Sequence, residues 1–163
     1  MNKLAERLKE ASVVWKIEKF ANADDYREGK SYEISEFEGN VMLNEGINEL
    51  WTILCSAGGT KYDNTNAYLG VGTGTTSAAA GDTGLETAGV YVGMYSGFPT
   101  YGTSQKATWK ASFGAAVANQ AWNEFCVSNV DSNGGELLNH KISAQGNKTS
   151  GQTWELALEI TLS

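Results

Sequence analysis

Trp154-Glu155-Leu156-Ala157-Leu158-Glu159-Ile160-Thr161-Leu162 sets large apolar residues against small, polar or charged ones at every second position. Side chains of a β-strand point alternately to opposite faces, so the stretch predicts a core strand with one buried face. Strands that are wet on one side belong to antiparallel sheets. Working back along the chain, strand signals recur at Tyr68 to Val71, Val90 to Val92, Ala107 to Val117, Trp122 to Val130 and Leu137 to Ala144. Turns are marked by Asp131-Ser132-Asn133-Gly134-Gly135 and by Gln145 to Gly151. Nearer the N-terminus, Val13, Trp15, Ile17 and Lys19 alternate with Val14, Lys16, Glu18 and Phe20, and Tyr32, Ile34 and Phe37 follow a polar loop over Asn22 to Lys30. Strands joined by short polar turns predict a mainly β chain, an antiparallel β-sandwich or jelly-roll-like domain.

Two stretches depart from that period. Between Asn44 and Ala57, the residues Ile47, Leu50, Trp51 and Leu54 fall at i, i+3, i+4 and i+7, and Gly58-Gly59 stops the run. This predicts one α-helix over about 44–57, capped by Asn44 and packed by one face. Leu4, Leu8 and Ala11 lie at helical spacing among Lys3, Glu6, Arg7, Lys9 and Glu10, which predicts a short N-terminal helical arm too short to be stable alone. The expected organisation is a charged arm and first strand over residues 1–30 and a sandwich domain over 31–163. The apolar stripe of Leu4, Leu8 and Ala11, with Val13, Trp15 and Phe20 behind it, is the candidate contact surface for a shell or a neighbouring subunit. The alternative is that the arm covers one end of its own sandwich.

The chain has 163 residues, 41% of them hydrophobic, with five Trp, enough apolar material for one buried core and too much for a disordered tail. A formal net charge of -7 repels a polyphosphate backbone, so no nucleic-acid partner is expected. Residues 1–50 hold seven Lys or Arg and eleven Asp or Glu, leaving 13 charged residues for the other 113. No apolar run approaches the roughly 20 residues of a membrane helix, and Met1 to Glu10 is charged rather than leader-like. Synthesis in a cytoplasm with no membrane partner is the expectation.

Signals of chemistry are weak. Cys55 and Cys126 each sit in an apolar stretch, as buried free thiols do, although a disulfide between them stays open. There is no CxxC, and His140 is the only histidine, so a zinc site or a catalytic pair would lean on one imidazole. His140 reads as an exposed strand residue. Gly70-Val71-Gly72-Thr73-Gly74-Thr75-Thr76 resembles a phosphate cradle but is followed by neither a helix nor a Lys, and reads as a structural strand exit. Asp63, Asn64, Asn66 and Asp82 supply oxygen donors without the spacing of a calcium loop. Tyr91, Tyr95, Phe98, Tyr101, Trp109 and Trp122 suit either a sugar-stacking platform or packing in a core or interface. Glu124 and Glu136 are candidates for paired catalytic carboxylates by residue type alone. No cofactor and no enzymatic activity are expected.

Gly39 to Leu50, Asn66 to Gly74 and Thr83-Gly84-Leu85, together with Ala111-Ser112-Phe113-Gly114 and Ala121-Trp122-Asn123-Glu124-Phe125, carry a resemblance to small virion structural proteins of tailed bacteriophages. The resemblance covers about residues 39–163. It implies a non-enzymatic capsid decoration or cement protein on the capsid exterior, a homotrimer at lattice symmetry axes with the major capsid protein as partner. A tail or head-fibre adaptor is the second possibility within virions, and a carbohydrate-binding module the competitor outside them. The low charge of residues 51–163 suits dense protein packing in a symmetric shell.

Overall fold

The computed structural model describes residues 11–87 and 89–162. In chain order the elements are β1 (Ala11–Phe20), α1 (Ala23–Glu28), β2 (Glu33–Glu38), β3 (Val41–Met42), α2 (Asn44–Cys55), β4 (Tyr68–Gly72), β5 (Val90–Gly93), β6 (Thr100–Thr103), β7 (Lys106–Phe113), β8 (Glu124–Ser128), β9 (Leu137–Ile142) and β10 (Thr153–Leu162). The strands form two five-stranded sheets, β2-β1-β10-β7-β6 and β3-β9-β8-β4-β5, paired antiparallel throughout. The expected mainly β, sandwich-like architecture is what the chain adopts.

The strand that decides the fold is central. β10 lies between β1 and β7, with Trp15 opposite Leu158 on one side and Trp109 opposite Leu158 on the other. Trp154, Leu156, Leu158 and Ile160 all face the core and meet Leu69, Val71, Phe125 and Val127 from the second sheet in one cluster. Aromatic rings fill its middle: Trp122 stands edge-on to Trp154 at 4.9 Å between centroids and to Phe113 at 4.8 Å. The outer face of the first sheet is instead laced by ion pairs, Lys16–Glu18, Lys106–Glu159 and Lys110–Glu155, at 2.6–2.9 Å. Such a face is suited to water, and each exposed pair adds little stability.

Several expectations are corrected by the packing. Val13, Trp15 and Phe20, placed on the candidate contact surface, are 5%, 0% and 3% exposed. Trp15 stacks on Phe37 and tilts against Phe125, and Phe20 lies edge-on beneath Tyr26 of α1, so these side chains serve the chain's own interior. Ala11 belongs to β1, opposite Leu162, not to a helical arm; Leu4 and Leu8 lie outside the described residues. The division at residue 30 separates nothing, because β1 is hydrogen-bonded between β2 and β10. The polar loop over Asn22 to Lys30 contains α1, held by its ends rather than by an apolar stripe. Asn22 accepts from the Asp24 and Asp25 amides, and Gly29 closes the helix in the left-handed region at φ 67°.

Candidate functional site

The second sheet buries its outer face as well, and glycine makes that possible. Gly70 and Gly72 lie on β4 opposite Cys126 and Glu124 of β8. A Cβ at Gly70 would stand 2.6 Å from Cys126 Sγ, and one at Gly72 would stand 2.7 Å from Glu124 Oε1 and 2.8 Å from the Thr87 carbonyl. With that face stripped of side chains, the segment 73–87 folds back over the sheet, closed at its neck by a Thr73 N–H to Thr87 O bond of 2.9 Å. Leu85 of the segment joins Leu43, Cys126 and Leu137 in a second apolar cluster. The glycine repeat is therefore a strand feature, as expected, with an added role: it cradles a carboxylate rather than a phosphate.

That carboxylate is Glu124, which is fully buried. Its Oε1 accepts from the amides of Gly74 and, at 3.2 Å, Thr87, and its Oε2 accepts from the Glu86 amide at 2.6 Å. His140 Nε2 stands 3.3 Å from Oε2, and His140 Nδ1 stands 2.8 Å from Oδ2 of Asp82. His140 is 3% exposed, which corrects its reading as a surface strand residue: segment 73–87 covers it. Burial alone would raise the Asp82 carboxyl, but the Ala79 amide and the His140 ring outweigh it and hold Asp82 below its ordinary value. A cleft of about 590 Å³ opens beside this cluster, lined by Thr76, Asp82, Glu86, Asn133 and His140. Nδ1 is hydrogen-bonded to Asp82, whereas Nε2, buried beside Glu124, makes no hydrogen bond. Among the described residues no three His, Cys, Asp or Glu side chains form a group suited to a metal ion.

The other candidate surface is apolar. α2 lies over β9 through Gly46, its buried residue, where a Cβ would stand 2.5 Å from both the Leu137 carbonyl oxygen and Leu138 Cα. Glu45 Oε1 accepts from the Leu137 amide at 2.7 Å, and Ile53 reaches the main core. The expected packed stripe faces outward: Ile47, Leu50, Trp51 and Leu54 are 38%, 42%, 59% and 73% exposed. The helix runs to Cys55, its N-cap is Leu43 without a side-chain bond, and Asn44 lies within the first turn. Beside it, Leu50 and Ile53 share a groove of about 550 Å³ with Met42, Pro99, Tyr101 and Leu162.

The remaining candidates separate. Cys55 is exposed, against expectation, while Cys126 is buried, and both are free thiols. Asp63 Oδ1 caps the amides of Thr65 and Asn66 in its own turn, while Asp82 belongs to the histidine cluster. Trp109 and Trp122 are core residues, whereas Tyr95 and Tyr101 are exposed, so the six aromatics do not make one platform. Glu136 is exposed and Glu124 buried beneath the segment 73–87, which removes them as a catalytic pair across a cleft. Period-two glycine at 70, 72 and 74, which reads from the sequence only as a strand exit, is the signal that could have found the covered sheet face; nothing local marked Asp82 as the partner of His140. Comparison with protein-family models, with curated proteins and with solved structures returned no match.

Proposed function

We propose that this chain is a non-enzymatic structural protein of a tailed bacteriophage virion, a decoration or cement protein that binds the outside of the assembled head. The observation that carries the reading is the outward apolar stripe of α2 beside the apolar groove. Helices of free monomers keep such stripes against their own core, and an exposed one next to a groove marks a protein contact. In the virion the stripe lies against the major capsid protein, and copies of the chain group as homotrimers. Contacts of this composition are apolar and backbone-polar rather than ionic, so salt weakens them little. Burial of Trp109 and Trp122 counts against a carbohydrate-binding module.

Two measurements test this. Gel quantitation of purified particles is expected to give a copy number comparable to that of the shell subunit; a handful of copies moves the protein to the tail or a head fibre, and absence from particles overturns the proposal. A Trp51→Glu/Leu54→Glu double variant is expected to keep the native circular-dichroism spectrum and lose attachment to particles. Undiminished attachment would remove α2 from the contact.

A further inference from the structure

Along the core face of β10, Ile160 is 7% exposed, whereas Leu162, two residues further on the same face, is 62% exposed. The sandwich is open at that end. Ile160 and Leu162 of the first sheet, Met42 and Leu138 of the second and Leu50 of α2 line the apolar groove of about 550 Å³ found there. Antiparallel pairing fixes which part of the chain arrives at the opening. Ala11, the first residue of β1, is the register partner of Leu162, as Val13 is of Ile160. Directly paired residues share a face of the sheet, so β1 begins at the rim of the groove.

We propose that residues 1–10, which lie outside the described residues, seat Leu4 and Leu8 in this groove of the same molecule and close the open end of the sandwich. Reach, chemistry and charge select this occupant. Leu8 stands three residues before Ala11, about 10 Å of extended chain, and Leu4 seven residues before it, about 10 Å of helix. Four residues apart, the two leucines lie on one helical face and match a groove walled by aliphatic side chains. Residues 1–10 hold three Lys or Arg and two Glu, a net charge of +1, which leaves -8 on the rest of a chain whose total is -7. α2, beside the groove, carries Glu45 and Glu49 and no Lys or Arg. A second copy would offer the same segment only at its own solution concentration, whereas a tether of a few residues holds it at an effective concentration of about millimolar or more.

This seat does not rest on the virion reading, and it leaves that contact open. Trp51 and Leu54 lie outside the lining of the groove, so they stay outward while Leu50 turns to the chain's own segment. The two flanks of α2 thereby receive different occupants.

A segment of ten residues is too short to hold a helix in water unaided, so protected amides within it report docking. The test is amide hydrogen exchange of the free full-length protein by NMR, corrected for intrinsic rates. Amides of residues 5–9 are expected to be protected about tenfold or more, equally at low and high protein concentration. Leu162→Glu and Leu50→Glu, checked for fold by circular dichroism, are each expected to bring those amides back to intrinsic rates. Trp51→Glu/Leu54→Glu, on the outer flank, is expected to leave them protected. Exchange of residues 5–9 at intrinsic rates in the wild-type chain, or protection that appears only as concentration rises, would overturn the seat, the second by showing the segment to dock on another copy. Protection that survives both groove variants would overturn it as well. The first two readings need only the wild-type chain, and attachment to particles enters none of them, so the seat and the virion reading fail separately.

Discussion

Along β10, Trp154, Leu156 and Leu158 are 2%, 0% and 0% exposed, while along α2 Leu50, Trp51 and Leu54 are 42%, 59% and 73% exposed. Both stretches carry a regular apolar period of the right length. The difference lies in what each backbone demands. A central strand has unpaired N–H and C=O groups on both edges, so it forms only when neighbours are hydrogen-bonded to it, and those neighbours also wall in its side chains. A helix satisfies its own backbone and can rest on a sheet by a small contact, here Gly46 and Ile53, with its wide apolar stripe left outward. An apolar period thus shows that a face is apolar, without saying whether the same chain covers it.

The largest effect expected from this contrast is in the strand. Trp154→Ala is expected to cost about 3–5 kcal/mol in urea unfolding, since the ring is packed against Trp122 and leaves a cavity. A cost near zero would mean that β10 is not the packing centre. The turn leading into β10 buries a charge too: Lys148 is 1% exposed, with Nζ donating to Gly114 O at 2.8 Å and Asn119 Oδ1 at 2.9 Å. Burial pushes its amine down from 10.5 to about 8. The unfolded chain then binds more protons than the folded one between those values, so stability contributed at this site rises as pH goes from about 8 to 10.5. The rise is on the order of 3 kcal/mol at most, and Lys148→Met is expected to remove it from the pH dependence of urea midpoints.

The contact that seats the helix comes next. Gly46→Ala puts a methyl into the backbone of Leu137 and Leu138 and is expected to cost about 1–3 kcal/mol. Its signature would be increased exchange of α2 amides; an unchanged midpoint would place the seat of α2 elsewhere. The smallest effect belongs to the exposed stripe. Leu54→Ala is expected to shift stability by less than about 0.5 kcal/mol in the free monomer. A loss of about 2 kcal/mol or more, the size seen for covered core leucines, would show the stripe to be covered in solution and break the contrast with β10.

Much of the strand layout was legible because its signals are local. The alternation in Trp154 to Leu162 and in Val13 to Ile17 reflects the geometry of one strand, and no distant residue changes which positions share a face. The two-residue β3 and the fully exposed β6 escaped notice, since neither is long or apolar enough to show a period. Helix α1 escaped for the opposite reason: its caps were readable at Asn22 and Gly29, but it buries no residue and has no stripe. The candidate site was legible only in part. Glycine at every second position marked a strand face without side chains, yet the reason, a carboxylate 50 residues further along the chain, is not a local fact.

The sequence by itself thus determined that the chain is mainly β, which strand faces are apolar, and that one helix interrupts them. Only the tertiary structure decided what lies over each face. Trp15 and Phe20 were assigned to a partner surface and are buried at home, because Phe125 of the second sheet and Tyr26 of α1 cover them. His140 was assigned to the surface and is buried, because segment 73–87 returns over it. The α2 stripe was assigned to the core and faces outward, because Gly46 lets the opposite side of the helix lie against β9. Periodicity is set by bonds between consecutive residues, whereas cover is set by contacts between segments far apart in the chain, and their order of approach is written in no single stretch.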